Sequence, residues 1–246
     1  MVLSAADVSG WGVMNAKAEE TTVASTTNMP ESLAIYDDES GTGEINIIKA
    51  GVLQADKVSD NEDTIYQGTN WYYDSAKNQL VLNGASIRDV FCKGGDLSIL
   101  LSGENILSGE IKFNVDGGSN TLEINGGNDN GSLIGKGEIM VGTGDDSTNN
   151  LKITGATTET VDIECNGDLT IEKSHIVACP DGNLSALSGN TVSITDSYVE
   201  AKSTEDMANP ISSQNRITIS GSQILAETGK AFGEEYVIQN VDSSNS

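Results

Sequence analysis

Three stretches decide the reading of this 246-residue chain: GDLTIEKSHIVA (residues 167–178), NTVSITDSYVEA (190–201) and NRITISGSQILA (215–226). Each opens on Gly or Asn, sets two aliphatic residues two apart, passes a small residue and closes on a second aliphatic run ending in Ala. Working outward, the first half of the pattern recurs at Leu80/Leu82, Leu97/Ile99, Leu122/Ile124 and Leu151/Ile153, giving seven copies with Leu169/Ile171, Val192/Ile194 and Ile217/Ile219. The first aliphatic positions are 17, 25, 29, 18, 23 and 25 residues apart.

Each column has a physical reason. Aliphatic residues at i and i+2 share one face of a strand, and the residue between them points outward. Two residues before each pair stand Asn78, Gly95, Asn120, Asn149, Gly167, Asn190 and Asn215. Asn and Gly tolerate positive φ, so this column predicts a left-handed bend into the strand. Five residues after the first aliphatic position every residue is small (Ala85, Ser102, Gly127, Ala156, Ser174, Ser197, Ser222), and the position before it is Gly in four copies of seven. A constant local motif with variable loops between copies suits a solenoid, whose coils stack while loops swell outward. The predicted fold is all-β: a right-handed single-stranded parallel β-helix with an aliphatic interior and an N-terminal cap. The alternative, a β-sandwich, would show hairpin turns every 8–12 residues.

Composition narrows the function classes. Thirteen Lys and Arg against 37 Asp and Glu leave a formal charge of −24, which argues against nucleic acid or an anionic membrane as partner. No apolar run reaches the roughly 18 residues of a membrane span. Cys92, Cys165 and Cys179 are an odd set without a CxxC pair, so neither zinc nor a disulfide framework is indicated, and all three read as small core residues. The domain reading follows: residues 1–43 a truncated signal and disordered tether, in which Ala16-Lys17-Ala18 mimics a cleavage site, and 44–240 the β-helix. Within it, 44–74 cap the first coil with Trp71, Tyr72 and Tyr73, 75–228 form the coils and 229–240 close the far end.

The stretch from Gly68 through Trp71-Tyr-Tyr73-Asp74 to Leu80-Val-Leu82-Asn83-Gly84-Ala-Ser-Ile87 resembles the opening of secreted bacterial β-helix domains of the carbohydrate-binding family. The remaining coils are similar to the generic repeat of pectate-lyase-like proteins. The resemblance implies a secreted or cell-surface module, bacterial in type, that holds polysaccharide (plant cell-wall or host glycan) or serves as an adhesin, without implying catalysis.

Candidate sites are weighed on that basis. His175, Tyr198 and Gln223 fall in one column of three successive coils and are expected to form an outward strip able to bind carbohydrate. Trp71 and Tyr73 share a strand face and are the candidate ring platforms for sugar, with capping as the plainer use. Asp129, Asp145 and Asp146 are candidate metal ligands, with Ca²⁺ a possible bridge between an acidic surface and an acidic glycan. The single His175 excludes a His-rich metal site. A polysaccharide lyase acting on acidic glycans, with Arg88 as its base, is the enzymatic alternative, and a structural spacer is the third reading. The chain is expected to act as a monomer.

Overall fold

The aliphatic pairs form short strands, and each strand finds its hydrogen-bond partner one coil away. The computed structural model describes residues 29–37, 43–54, 65–114, 118–142, 148–181, 184–204, 209–228 and 238–240. The first five strands are β1 (Ser32–Asp37), β2 (Gly43–Lys49), β3 (Val52–Leu53), β4 (Ile65–Gly68) and β5 (Trp71–Asp74). Next come β6 (Gln79–Asn83), β7 (Ser86–Lys93), β8 (Leu97–Ser102), β9 (Glu104–Leu107), β10 (Glu110–Phe113), β11 (Thr121–Asn125), β12 (Ser132–Gly135) and β13 (Glu138–Val141). The series ends with β14 (Asn150–Thr154), β15 (Thr157–Thr160), β16 (Ile163–Cys165), β17 (Asp168–Glu172), β18 (His175–Ala178), β19 (Leu187–Thr195), β20 (Tyr198–Ser203), β21 (Ile211–Ser220), β22 (Gln223–Thr228) and β23 (Ile238–Asn240). No α-helix occurs among the described residues.

Among β6 to β23, every pairing of these strands with one another is parallel. One face stacks β6, β8, β11, β14, β17 and the second halves of β19 and β21. A second stacks the start of β7 with β9, β12, β15, β18, β20 and β22. The third stacks the end of β7 with β10, β13, β16, the starts of β19 and β21, and β23. The chain is a parallel β-solenoid. On the first face Leu122, Leu151, Leu169, Val192 and Ile217 stand in register, as do Ile124, Ile153, Ile171, Ile194 and Ile219. At the first coil the register differs from the expected alignment: Leu80 pairs with Ile99 and Leu82 with Leu101. The slip is two residues, so with a side-chain period of two the same face stays inward. Leu, Ile and Val from each of the three faces fill the interior at 0–2% exposure, each contributing about 1.5–3 kcal/mol on burial.

The left-handed residues are not where the sequence reading puts them. Of the seven residues preceding the aliphatic pairs, only Asn78 (φ 50°) and Gly95 (φ 110°) have positive φ. Among the others, Asn149, Asn190 and Asn215 use their side chains. Asn149 Oδ1 accepts the Asn114 side-chain amide at 3.1 Å and the Asn120 N–H at 3.2 Å, and Asn215 Nδ2 donates to Asn190 Oδ1 at 2.5 Å. The left-handed turn instead follows the strand, at Gly84 (φ 69°), Gly103 (64°), Gly155 (59°), Lys173 (49°), Asp196 (49°) and Gly221 (60°).

Just past that corner the small column carries a second function in folding. Ser174 Oγ, Ser197 Oγ and Ser222 Oγ accept the backbone N–H of Ala156, Ser174 and Ser197 at 3.3, 3.1 and 3.1 Å. Each hydroxyl then donates to the carbonyl two residues before it, at 2.7, 2.7 and 2.9 Å. The buried corner N–H groups are thereby satisfied by the next coil. Ser197→Ala strands the buried Ser174 N–H and is expected to cost about 1–2 kcal/mol, seen as a lower urea midpoint at unchanged m-value.

At the N-terminal end, β1 is antiparallel to both β2 and β7, and β4, β5 and β6 form an antiparallel meander. β1 falls within residues 1–43, the span read as tether, and its Leu33 and Ile35 are fully buried. Residues 1–28 and 229–237, which hold the signal-like start and most of the expected far-end cover, lie outside the described residues. On the last described coil Ile219 and Leu225 remain 39% exposed.

Candidate functional site

The outward residues of the second face fall into ladders because parallel strands in register repeat each position at the interstrand spacing, about 4.8 Å. Thr157 pairs with His175, His175 with Tyr198 and Tyr198 with Gln223, so the three predicted residues form one continuous row. His175 and Gln223 are exposed and Tyr198 half-buried. The His175 and Tyr198 rings meet edge to face, centroids 4.8 Å apart at 85°. The Tyr198 hydroxyl donates to Glu200 at 3.4 Å, and Lys202 pairs with Glu200 at 2.5 Å and Glu227 at 3.6 Å. The Lys202 hydrogen bond holds the Glu200 carboxyl below the usual carboxylate range.

Beside this row, at the corner between the first and second faces, lies a shallow cavity of about 270 Å³. Asn130, Gly155, Lys173, Ser174, His175 and Asp196 line it. Its shape follows from the corner column. Gly155 carries no side chain, whereas the next two coils raise Lys173 and Asp196 in the same backbone conformation. Asn130 (φ 50°) ends the one-turn insert of its own coil. Left-handed backbone costs an ordinary L-residue about 1–2 kcal/mol, less for Asn and Asp. Sequence reading singled out His175 here but missed Lys173 and Asp196. The signal was the corner position itself, Gly in four copies and charged in two.

The other predicted residues fall elsewhere. Trp71 and Tyr73 are 2% and 0% exposed, which corrects their reading as sugar platforms: neither ring face is open. The Trp71 indole donates to Asp37 at 2.8 Å and the Tyr73 hydroxyl to Asn78 at 2.7 Å, so both hold the N-terminal sheet onto the first coil. Tyr72, pointing the other way, is 38% exposed. Asp129 sits exposed in the short 3-10 turn Gly127–Asp129, and Asp145 and Asp146 lie outside the described residues. Among the described residues no three His, Cys, Asp or Glu converge as a metal site. Arg88 lies over the Tyr36 ring at 4.4 Å and binds Asp89 at 2.7 Å, placing it in the packing of the N-terminal sheet against β7. Cys92 and Cys165 are buried, and burial pushes the Cys165 thiol up to about 11. Cys179 is exposed, against the expectation of a core residue.

One carboxyl on the third face is perturbed. Burial, then the charges of Glu138 and Glu164, raise Asp162 to about 6. A carboxyl raised on folding binds more protons in the native than in the unfolded state. Its destabilising effect is absent below about pH 4, grows as pH rises to about 6 and is complete above that. Asp162→Asn is therefore expected to raise stability at pH 7.5 by about 1 kcal/mol, allowing for solvent screening of this half-exposed group, and to leave pH 4 stability unchanged. Melting temperatures of both proteins across that range check it.

Neither family models, curated proteins nor solved structures yield a match to this chain. The class defined by the fold is the parallel β-solenoid with an N-terminal antiparallel sheet. No helix among the described residues is long and apolar enough to cross a membrane.

Proposed function

We propose that the chain is an extracellular, non-catalytic module that binds carbohydrate or acts as an adhesive surface, working as a monomer outside the cell. The observation that carries this reading is the in-register row Thr157, His175, Tyr198 and Gln223 beside a polar cavity. Such a row offers a long polymer the same lateral hydrogen-bonding position at each coil, with two rings for the apolar faces of sugars. The −24 charge speaks against nucleic acid as the polymer.

The test is retention on immobilised plant cell-wall and host-type polysaccharides. The chain should be retained on at least one, and Tyr198→Ala should weaken retention at least ten-fold without lowering the melting temperature by more than a few degrees. A parallel run in chelator separates direct binding from bridging by Ca²⁺. Failure on every polysaccharide, or release of unsaturated uronide product, overturns the reading.

A further inference from the structure

We propose that the corner cavity is a pocket for one neutral sugar ring carrying adjacent hydroxyls, which Lys173 and Asp196 grip as a pair. This rests on the reading of the neighbouring row as a glycan face and takes it from a surface to a defined subsite. Four of the cavity's polar side chains are uncommitted. Among the described residues the side chains of Asn130, Lys173, His175 and Asp196 make no hydrogen bond or ion pair, although Lys173 and Asp196 occupy the same corner position of successive coils. That sets them apart from other polar residues of the stack: Asn105 spends its amide on Ala85 and Ser132, and the Ser174 and Ser197 hydroxyls accept N–H groups of neighbouring coils.

The chemistry of the set selects the ligand. A lysine ammonium only donates, a carboxylate only accepts, and an asparagine amide does both. A hydroxyl also does both, so two adjacent hydroxyls satisfy the donor and the acceptor together. An acidic group would meet Asp196 in a chain already at −24, and a flat apolar ligand would find no large aliphatic wall. The His175 imidazole is the only ring lining the cavity. At about 270 Å³ the space is below the roughly 300–1,000 Å³ of drug-sized pockets, which suits a single ring. The backbone carries the same message. Other coils place Gly at this corner (Gly84, Gly103, Gly155, Gly221), whereas Lys173 and Asp196 hold side chains in left-handed conformation beside the cavity. Backbone strain kept where the other coils relieve it with Gly is a mark of use.

The substitutions Lys173→Gly and Asp196→Gly test this cleanly, because each removes the functional group while relieving the backbone. The probes are the methyl glycosides of glucose, galactose, mannose and fucose, their single-deoxy analogues and methyl glucuronide, titrated while amide resonances are followed. At least one neutral glycoside should move the amides of residues 155–157, 173–175 and 196. Its affinity should drop at least ten-fold in either Gly variant, with no fall in melting temperature, and at least ten-fold when one hydroxyl of the pair is removed. The pocket is overturned if no neutral glycoside moves those amides, if the Gly variants bind as the parent does, or if the glucuronide binds best. Polysaccharide retention that needs Tyr198 but survives both Gly variants sinks the pocket and leaves the glycan face standing. Loss of retention with intact glycoside titration does the reverse.

Discussion

Gly126→Ala should split the stack. Its φ of −76° is ordinary, so the backbone itself would accept alanine. The added methyl, however, would stand 1.9 Å from the carbonyl oxygen of Gly155, 2.6 Å from its carbon and 2.8 Å from Cα of Ala156. All three are backbone atoms of the adjoining coil, with no rotamer to move aside. Relief requires the coils to part, which breaks the bond from Gly126 N–H to the Thr154 carbonyl at 2.9 Å. A loss of about 3 kcal/mol or more is expected, at the upper end for overpacking. Gly155→Ala is the control. Its methyl would meet only the Gly127 carbonyl at 3.9 Å, and the penalty is confined to left-handed backbone at φ 59°, about 1–2 kcal/mol. Thermal melts of the two variants should differ clearly; equal losses would show that the coils yield.

Phe113→Ala should be comparably damaging for the opposite reason. Phe113 is fully buried in the third-face column Cys92, Phe113, Val141, Cys165, the widest member of a row otherwise made of small side chains. Truncation leaves a cavity that neighbours held by ladders on both sides cannot collapse into. The expected cost is about 3–5 kcal/mol, against about 1–1.5 kcal/mol for Phe113→Leu, read from urea unfolding. A loss under about 1 kcal/mol would mean that the interior repacks freely.

How much of this was legible follows from what each signal encodes. Aliphatic spacing of two reports which way side chains point, so the first and second faces and the row His175, Tyr198, Gln223 were readable. The third face was not read, although Glu110-Ile-Lys-Phe113, Glu138-Ile-Met-Val141 and Asp162-Ile-Glu-Cys165 repeat a short pattern of their own. Those runs are brief and sit at variable distance from the main motif, so the eye follows the longer one. The handedness column was misplaced because Asn serves two ends: it tolerates positive φ, and its amide bridges stacked neighbours. Here bridging won before the strand, and Gly, Lys and Asp took the bend after it. Trp71 and Tyr73 show the limit of strand parity. It placed them on one face correctly but cannot say whether that face meets water or the sheet β1 brings in. The corner cavity depends on side chains from four coils meeting, which no local pattern records.

The coil at β21 and β22 has a further consequence. Ile219 still meets water there, whereas Ile171, its equivalent two coils earlier, is fully buried, so among the described residues the stack has a less sheltered tip and a firm base. Each coil is secured chiefly by the ones before and after it, so deuterium should enter from that tip inward. Protection should climb rung by rung toward the anchored N-terminal sheet, making amide exchange a ruler along the axis of the molecule.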